Sequence, residues 1–204
     1  MDPKSQILEA ARRLFAQKGF EGTSVREIAA ESEQNPAMIS YYFGGKEGLY
    51  KAMLQSHLEK TLAGIQAIFS KDSIPHMSQE VFTEELRSMV ALVTALQLDN
   101  AEFTRIMHRE RVDNLPYSRE IHEQMIGPVA EQIEEVFAAA KGSNVIRSDL
   151  DTRVFMGFLF EGVLGYLNVN QCGLKTMKGS FEFPRDRERF IDFITQLLLG
   201  GVLK

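Results

Sequence analysis

The spacing of apolar residues indicates the fold class of this chain. These residues recur three and four positions apart almost throughout, as Ile7, Ala11 and Leu14 do near the start. Val, Ile and Thr nowhere alternate with polar residues over a run as long as a strand. Because a period near 3.6 indicates amphipathic helices and a period of two indicates half-buried strands, the chain is predicted to be all-α with about nine helices.

Short-range signals predict where these helices begin and end. Asp, Ser and Asn cap helix N-termini, Pro is favoured at the first helical position, and Gly commonly ends a helix. The predicted starts are Asp2-Pro3, Ser24 with Glu27, Asn35-Pro36 and Asp99 with Glu102, and the predicted breaks are Gly19, Gly44-Gly45, the Pro75 region, Gly142, Gly173 and Gly179. The longer helices are expected near residues 46–69, 79–97, 100–110, 118–140, 150–170 and 185–199, the third-last of these with an alternative break at Pro128.

The charge of the chain is unevenly distributed. Its 204 residues carry a net charge of −5. Residues 1–60 contain eight Lys and Arg against eight Asp and Glu, so residues 61–204 hold the remaining 15 and 20 of the chain's 23 and 28. Because salt screens charges over about 8 Å, acidic side chains in a distant part of residues 61–204 do not repel DNA from the neutral segment of residues 1–60. The net charge therefore does not exclude a nucleic-acid partner.

Cysteine content and hydropathy favour a cytoplasmic protein with no membrane span. Cys172 is the only cysteine, so no intrachain disulfide can form, and the N-terminus has no apolar secretory segment. The most apolar stretch, Val154 to Val169, is 16 residues long and contains Glu161. A membrane helix needs about 20 apolar residues, so this stretch is predicted to be a buried interface helix.

Residues 23–50 have the spacing of a helix-turn-helix: a short capped helix, a tight turn and a second short helix followed by two glycines. In that geometry the second helix enters the DNA major groove. With Ile39 and Phe43 facing inward, the outward residues are Pro36, Ala37, Ser40 and Tyr41, flanked by Met38 and Tyr42. Ser24, Asn35, Tyr42 and Lys46 are candidate phosphate contacts. From spacing alone, two small helices that merely pack together remain the alternative.

The run from Ile7 to Met53 resembles the N-terminal domain of TetR-family transcriptional repressors. The most specific matches are Ala11 to Phe15, Gly19-Phe20, Thr23-Ser24, Ile28-Ala29 and Tyr42-Phe43-Gly44-Gly45-Lys46-Glu47, and the Asn35-Pro36-Ala37 and Tyr41-Tyr42-Phe43 segments look closest to a CecR-like branch. The resemblance implies a homodimer that binds a palindromic double-stranded DNA operator through residues 1–47 and holds a small-molecule inducer in residues 48–204. It assigns base contacts to Arg26, Pro36, Ala37, Ser40 and Tyr41, and phosphate contacts to Ser24, Tyr42 and Lys46.

Three residues depart from the family pattern. Glu33 occupies a turn position often held by glycine, and Gln34 follows where a small apolar residue is common. If Glu33 adopts a positive φ, the turn carries strain of about 1 kcal/mol or more. Ser40 replaces a frequent tyrosine and shortens the reach towards the groove floor, so an operator sequence cannot be transferred from relatives.

The last two helices are predicted to form the dimer interface. Val154, Phe158 and Tyr166 in one, and Phe193 and Leu197 in the other, belong to apolar sets that cover more than one helical face. Helices apolar nearly all round are buried on more than one side, either in the monomer or against a second copy. A two-fold four-helix interface meets this requirement, and a purely internal core is the alternative.

The effector cavity is the least specific prediction. Small-molecule pockets are mostly apolar with few polar groups. The candidates that fit this description are Phe103, Met107, His108, Arg111, His122, Met125, Phe158, Glu161 and Tyr166. Each is individually more typical of a core or a surface. The run Arg105 to Arg111 is typical of a solvated face, with an anionic effector as the alternative.

An enzyme is not expected. The four histidines form no metal-ligand spacing, and no Gly-rich phosphate loop or activated nucleophile is present. No cofactor or metal is therefore predicted. The second function class considered is a helix-turn-helix regulator whose body binds a protein partner instead of a metabolite.

Overall fold

The computed structural model describes residues 2–171 and 181–203, and this part of the chain is built from helices. Its nine α-helices are α1 Pro3–Lys18, α2 Val25–Glu31, α3 Pro36–Phe43, α4 Lys46–Ile68, α5 Gln79–Asp99, α6 Ala101–Val112, α7 Arg119–Gly142, α8 Thr152–Gln171 and α9 Arg187–Val202. A 3-10 helix, Lys71–His76, contains Pro75 and separates α4 from α5. The predicted all-α class is confirmed. Cys172, Gly173 and Gly179 lie outside the described residues.

Most of the predicted helix boundaries are confirmed because the signals act locally. The Asp2 carboxylate accepts hydrogen bonds from the backbone N–H groups of Lys4 (2.9 Å) and Ser5 (3.2 Å) at the start of α1. Gly19 ends α1 with a φ of 74°. α7 runs through Pro128 without a break, so the alternative of two shorter helices does not apply.

The predicted capping box of Asp99 with Glu102 is wrong. Asn100 is the N-cap residue of α6, and no side chain caps that helix. Asp99 is the last residue of α5, and its two carboxylate oxygens accept hydrogen bonds from Arg187 at 3.0 and 2.8 Å. The Asp99 carboxylate therefore binds the Arg187 guanidinium in a bidentate hydrogen bond and does not cap α6. Such charge-assisted bidentate bonds are strong.

The chain divides into two compact units. The first unit comprises the described residues up to Leu62 together with Asn100–Ile126, and the second comprises Ala63–Asp99 with the described residues from Gly127 onwards. α4 and α7 each contribute residues to both units. The compact unit that contains the helix-turn-helix therefore extends beyond residues 1–47, and the predicted functional boundary at 47/48 stays a prediction.

The first unit has one apolar core beneath the three N-terminal helices. Ile7, Phe15, Ile28 and Ile39 are at most 1% exposed, and Ile106 of α6 joins the same cluster. α1 packs against both α2 and α6. This arrangement holds α2 and α3 on a rigid base.

The second unit is organised around α5, which packs against α8 and α9. An aromatic cluster supports it: the ring centroids of Phe82 and Phe137 are 5.3 Å apart, and those of Phe137 and Phe155 are 5.7 Å apart. Gln97 donates a hydrogen bond to Asn168. None of the described helices is both long enough and apolar enough to traverse a bilayer.

Candidate nucleic-acid interface

The first helix of the motif, α2, is set by a complete capping box. The Ser24 hydroxyl accepts a hydrogen bond from the Glu27 N–H (3.2 Å), and the Glu27 carboxylate accepts one from the Ser24 N–H (2.8 Å). The Lys18 ammonium lies 2.6 Å from the same carboxylate. These donors lower the pKa of Glu27 to about 2, with the Lys18 hydrogen bond as the largest cause. The cap therefore stays ionised across the physiological range.

The turn between α2 and α3 is unusually tight. Glu33 has a φ of 55°, a left-handed conformation that L-residues rarely adopt. The Gln34 N–H donates to the Ala29 carbonyl at 2.9 Å, and the Gln34 side chain donates to the Gln6 side chain at 2.9 Å. The positive φ considered from the sequence is confirmed, and the two hydrogen bonds of the following residue, Gln34, hold the turn in this conformation.

The second helix of the motif, α3, exposes the face that the sequence predicts. Asn35 caps the helix by accepting from the Ala37 N–H at 2.9 Å, and Ile39 is fully buried. Tyr41 is 79% exposed. The remaining members of the outward set, Pro36, Ala37 and Ser40, are exposed as well. Met38 and Tyr42 are half-buried and pack against the core, as does Phe43.

The candidate phosphate contacts differ in how free their polar groups are. The Ser24 hydroxyl proton is already donated to Glu27 (2.7 Å), and the Asn35 oxygen is used by the α3 cap. Arg26 is exposed on α2. The Lys46 ammonium lies 4.2 Å from the centroid of the Phe20 ring. A cation over a ring face is attracted to it, so Phe20 positions Lys46.

Two neighbouring residues of α6 support the head, and the sequence analysis missed both. The Arg109 guanidinium donates to the Phe15 carbonyl at the end of α1 (2.9 Å). Glu110 is only 3% exposed and accepts from the Tyr50 hydroxyl (3.2 Å), the Ser118 N–H (3.1 Å) and the Ser118 hydroxyl (2.8 Å). Burial and the adjacent Glu110 raise the pKa of Tyr50, which keeps its hydroxyl protonated as a donor.

The expectation that the run Arg105 to Arg111 forms a solvated face is therefore wrong for Glu110. A charged residue inside a basic run carries no local sign that it is buried. Its hydrogen-bond donors come from residues up to 60 positions away in the sequence.

The nine predicted effector residues are divided between the two units. In the first unit, Phe103 is buried in the core, and the centroid of its ring lies 3.4 Å from that of the His57 ring. His122 hydrogen bonds to the Ser118 carbonyl at 2.8 Å. Met107 and Met125 are half-buried, and His108 and Arg111 are exposed. In the second unit, Phe158 is 76% exposed, Glu161 is exposed, and Tyr166 stacks on Phe190 with centroids 5.2 Å apart.

Phe103 thus occupies a core position in its unit, and Phe158 and Glu161 lie on the exposed face of α8. A cleft of about 470 Å³ in the first unit is lined by Phe20, Tyr117 and Glu110 among others, and by none of the nine. Among the described residues, no three His, Cys, Asp or Glu side chains are grouped so as to hold a metal ion.

Comparison with known proteins identifies the same kind of domain. Residues 7–53 match the family described as bacterial regulatory proteins, tetR family. The chain is 36% identical over 118 residues to the probable HTH-type transcriptional regulator YttP of Bacillus subtilis (strain 168), an alignment that spans 58% of this chain and 55% of that protein. It is 30% identical over 176 residues to the HTH-type transcriptional dual regulator CecR of Shigella flexneri, which covers 79% of this chain and 76% of that protein.

The fold of the whole chain also has close counterparts among solved structures. The crystal structure of a TetR family transcription regulator from Marinobacter aquaeolei VT8 superimposes with a TM-score of 0.73 at 20% identity. The superposition covers 99% of this chain and 96% of that one. At this identity the likeness concerns the fold alone.

Proposed function

Because the chain belongs to the TetR family of bacterial regulatory proteins, whose members bind DNA and act as homodimers, we propose that it is a ligand-responsive repressor of transcription. In this proposal the helix-turn-helix binds a palindromic double-stranded DNA operator, and a small molecule bound in the body releases it. Cytoplasmic localisation is part of the same proposal.

The observation that carries the proposal is the exposed face of α3. Pro36, Ala37, Ser40 and Tyr41 are accessible, while Ile39 anchors the opposite side of the helix in the core. A helix presented in this way can place its N-terminal and outward side chains against base edges in the major groove. Lys46 beside Phe20 and Arg26 on α2 supply charge for the flanking phosphates.

We propose α8 and α9 as the dimer interface. Val154 (55%) and Phe158 (76%) on α8, and Phe193 (55%) and Leu197 (64%) on α9, are large apolar side chains left exposed in the single chain. On α8 a Cβ added at Gly162 or Gly165 would meet no atom within 4 Å beyond the adjacent residues and backbone of its own helix, so open space lies next to both positions. Exposed apolar side chains of this kind mark interaction sites, and in a family of homodimers a second copy of the chain is the expected partner.

The proposed response to ligand is a shift between two spacings of the heads. Two recognition helices about 34 to 36 Å apart fit successive major grooves. A ligand that prefers a dimer with a different spacing weakens DNA binding, typically by about 1 to 3 kcal/mol, and DNA weakens ligand binding by the same factor. α4 is the proposed lever, since it begins immediately after the helix-turn-helix and contributes residues to both units.

A mobility-shift assay on the DNA flanking the protein's own gene tests the proposal. Tyr41→Ala is expected to lose about 1 to 3 kcal/mol of specific binding and to relax sequence preference, because it removes a contact to base edges. Lys46→Ala is expected to weaken all sequences alike and to flatten the salt dependence, because it removes a phosphate contact.

Equal losses on specific and random DNA for both variants would contradict this division of roles. Phe158→Glu serves as the dimer variant and is expected to reduce the apparent mass to that of one chain in light scattering. A stoichiometric protein complex that persists without any small ligand would instead favour a body that binds a protein partner.

A further inference from the structure

Glu85 is the buried acid that the proposed DNA-binding machinery does not use. It lies in α5, in the second unit, and is 7% exposed. Neither of its carboxylate oxygens receives a hydrogen bond from any residue of the described chain. The sequence carries a weak signal of this position, since Glu85 falls between Phe82 and Met89 on the apolar stripe of the helix.

Ser73 is the polar side chain that acts on the Glu85 carboxyl. It lowers the pKa of Glu85, and its hydroxyl is also hydrogen-bonded to the Ser70 carbonyl at 2.8 Å. Burial is the larger influence, and it raises the pKa of Glu85 above its ordinary value.

The other polar side chains buried on α5 are satisfied. Thr94 donates to the Val90 carbonyl at 2.7 Å, and Gln97 donates to Asn168. Glu85 is therefore an exception within its own helix. Buried polar groups without partners are rare in folded proteins, and each one calls for a specific explanation.

The chemistry of the site selects one class of partner. An unpaired carboxylate in apolar surroundings is complemented best by a cation that also donates hydrogen bonds, because such charge-assisted bonds are about twice as strong as neutral ones. An anionic ligand would be repelled. The neighbouring positions of the α5 stripe, Phe82, Leu86 and Met89, are fully buried and apolar, which favours a ligand with an apolar body.

We propose that Glu85 anchors the effector in the second unit, and that the effector carries a protonated amine on an apolar body. This inference rests on the proposed ligand-responsive function. It names the chemical class of the ligand, which neither the family match nor the relatives specify.

Thermal unfolding of the whole protein with matched probes tests the proposal. The probes are butyl-, hexyl- and octylammonium chloride, with sodium octanoate and octanol as the anionic and neutral equivalents. At ten times its dissociation constant an alkylammonium is expected to raise the melting temperature by about 3 to 6 °C. Octanoate is expected to leave it unchanged.

Two substitutions, Glu85→Gln and Glu84→Gln, distinguish binding at the buried carboxylate from a general effect of negative charge on α5. Glu85→Gln keeps the shape of the side chain and is expected to abolish the shift produced by the ammonium probes. Glu84→Gln removes the adjacent, exposed carboxylate of the same helix and is expected to respond like the unchanged protein. Circular dichroism checks that both variants are folded.

Three results would overturn the proposal: no shift with any of the ammonium probes, an equal shift with octanoate, or a shift that survives in Glu85→Gln. The thermal assay contains no DNA. An absence of operator binding would therefore count against the proposed function alone, and an absence of ammonium binding against the Glu85 site alone.

Discussion

The two units differ in the hydrogen bonding of a buried glutamate. Glu110 in the first unit accepts hydrogen bonds from Tyr50 and from both the backbone and the hydroxyl of Ser118. Glu85 in the second unit is buried to a similar degree, yet it accepts none from the described residues. The first carboxylate ties separate elements together, and the second leaves its unit with an uncompensated polar group.

This difference corresponds to the different tasks proposed for the units. A head that reads DNA needs its recognition helix held in one geometry, and a satisfied buried network provides that rigidity. A unit that responds to a ligand can retain a buried polar group without a hydrogen-bond partner. The unpaired group lowers the free energy of unfolding of the free protein, and a ligand that pairs with it restores that free energy.

The largest change in the free energy of unfolding is expected when the hydrogen bonds of Glu110 are removed. Glu110→Leu leaves the Tyr50 hydroxyl and the Ser118 donors without an acceptor, at about 1 to 3 kcal/mol for each buried group that stays unpaired. A total loss of about 3 kcal/mol is expected in urea unfolding. Glu120→Leu, which replaces an exposed glutamate of the same unit, is the control and should change stability by less than about 0.5 kcal/mol. Equal losses of stability in Glu110→Leu and Glu120→Leu would mean that the hydrogen bonds of Glu110 do not stabilise the first unit.

An intermediate change in stability, one that depends on pH, is expected when Glu85 is replaced. The folded protein holds the Glu85 proton more tightly than the unfolded chain does, because burial raises the folded pKa above the ordinary 4.5. Stability is therefore fully present below pH 4.5 and falls as the pH rises through the folded pKa. Since glutamine does not titrate, Glu85→Gln should gain in melting temperature relative to the unchanged protein between pH 4.5 and 8. A constant difference across that range would show that Glu85 is solvated.

The smallest effect concerns the one strained residue of the recognition motif. Glu33 is exposed and has a φ of 55°, so glycine would relieve about 1 kcal/mol of backbone strain and lose no packing. The greater freedom of glycine in the unfolded chain offsets part of this gain. Glu33→Gly is therefore expected to raise the melting temperature by about 1 to 2 °C.

Glu31→Gly, at the end of α2, is the matched control and should lower the melting temperature, because it places glycine in a helix and removes the ion pair with Arg13. A drop for Glu33→Gly would mean that the turn is not strained at this residue.

The recognition motif could be predicted because its determinants are close together in the sequence. Ser24 with Glu27 and Asn35 with Pro36 define two helix starts within four residues each, and the structure confirms both. The burial of Ile39 against the exposure of Tyr41 follows from a helical period that is equally local.

Predictions failed where a partner distant in the sequence competed for the same group. The local pattern predicts a cap at Asp99, but Arg187, 88 residues away, binds its carboxylate. The basic run predicts a solvated face around Glu110, but Tyr50, 60 residues away, donates to its carboxylate. Neither pairing leaves a periodic trace that a single sequence could reveal.

The helical class, most helix ends and the outward face of α3 follow from the amino-acid sequence, because capping, proline and glycine geometry and the 3.6-residue period act within one or two turns. Which buried charges are compensated becomes visible only in the folded chain. That outcome depends on which donors the packing brings within hydrogen-bond distance. Glu110 accepts four hydrogen bonds, from the Tyr50 hydroxyl, the Tyr117 N–H and the N–H and hydroxyl of Ser118, whereas Glu85 accepts none from the described chain.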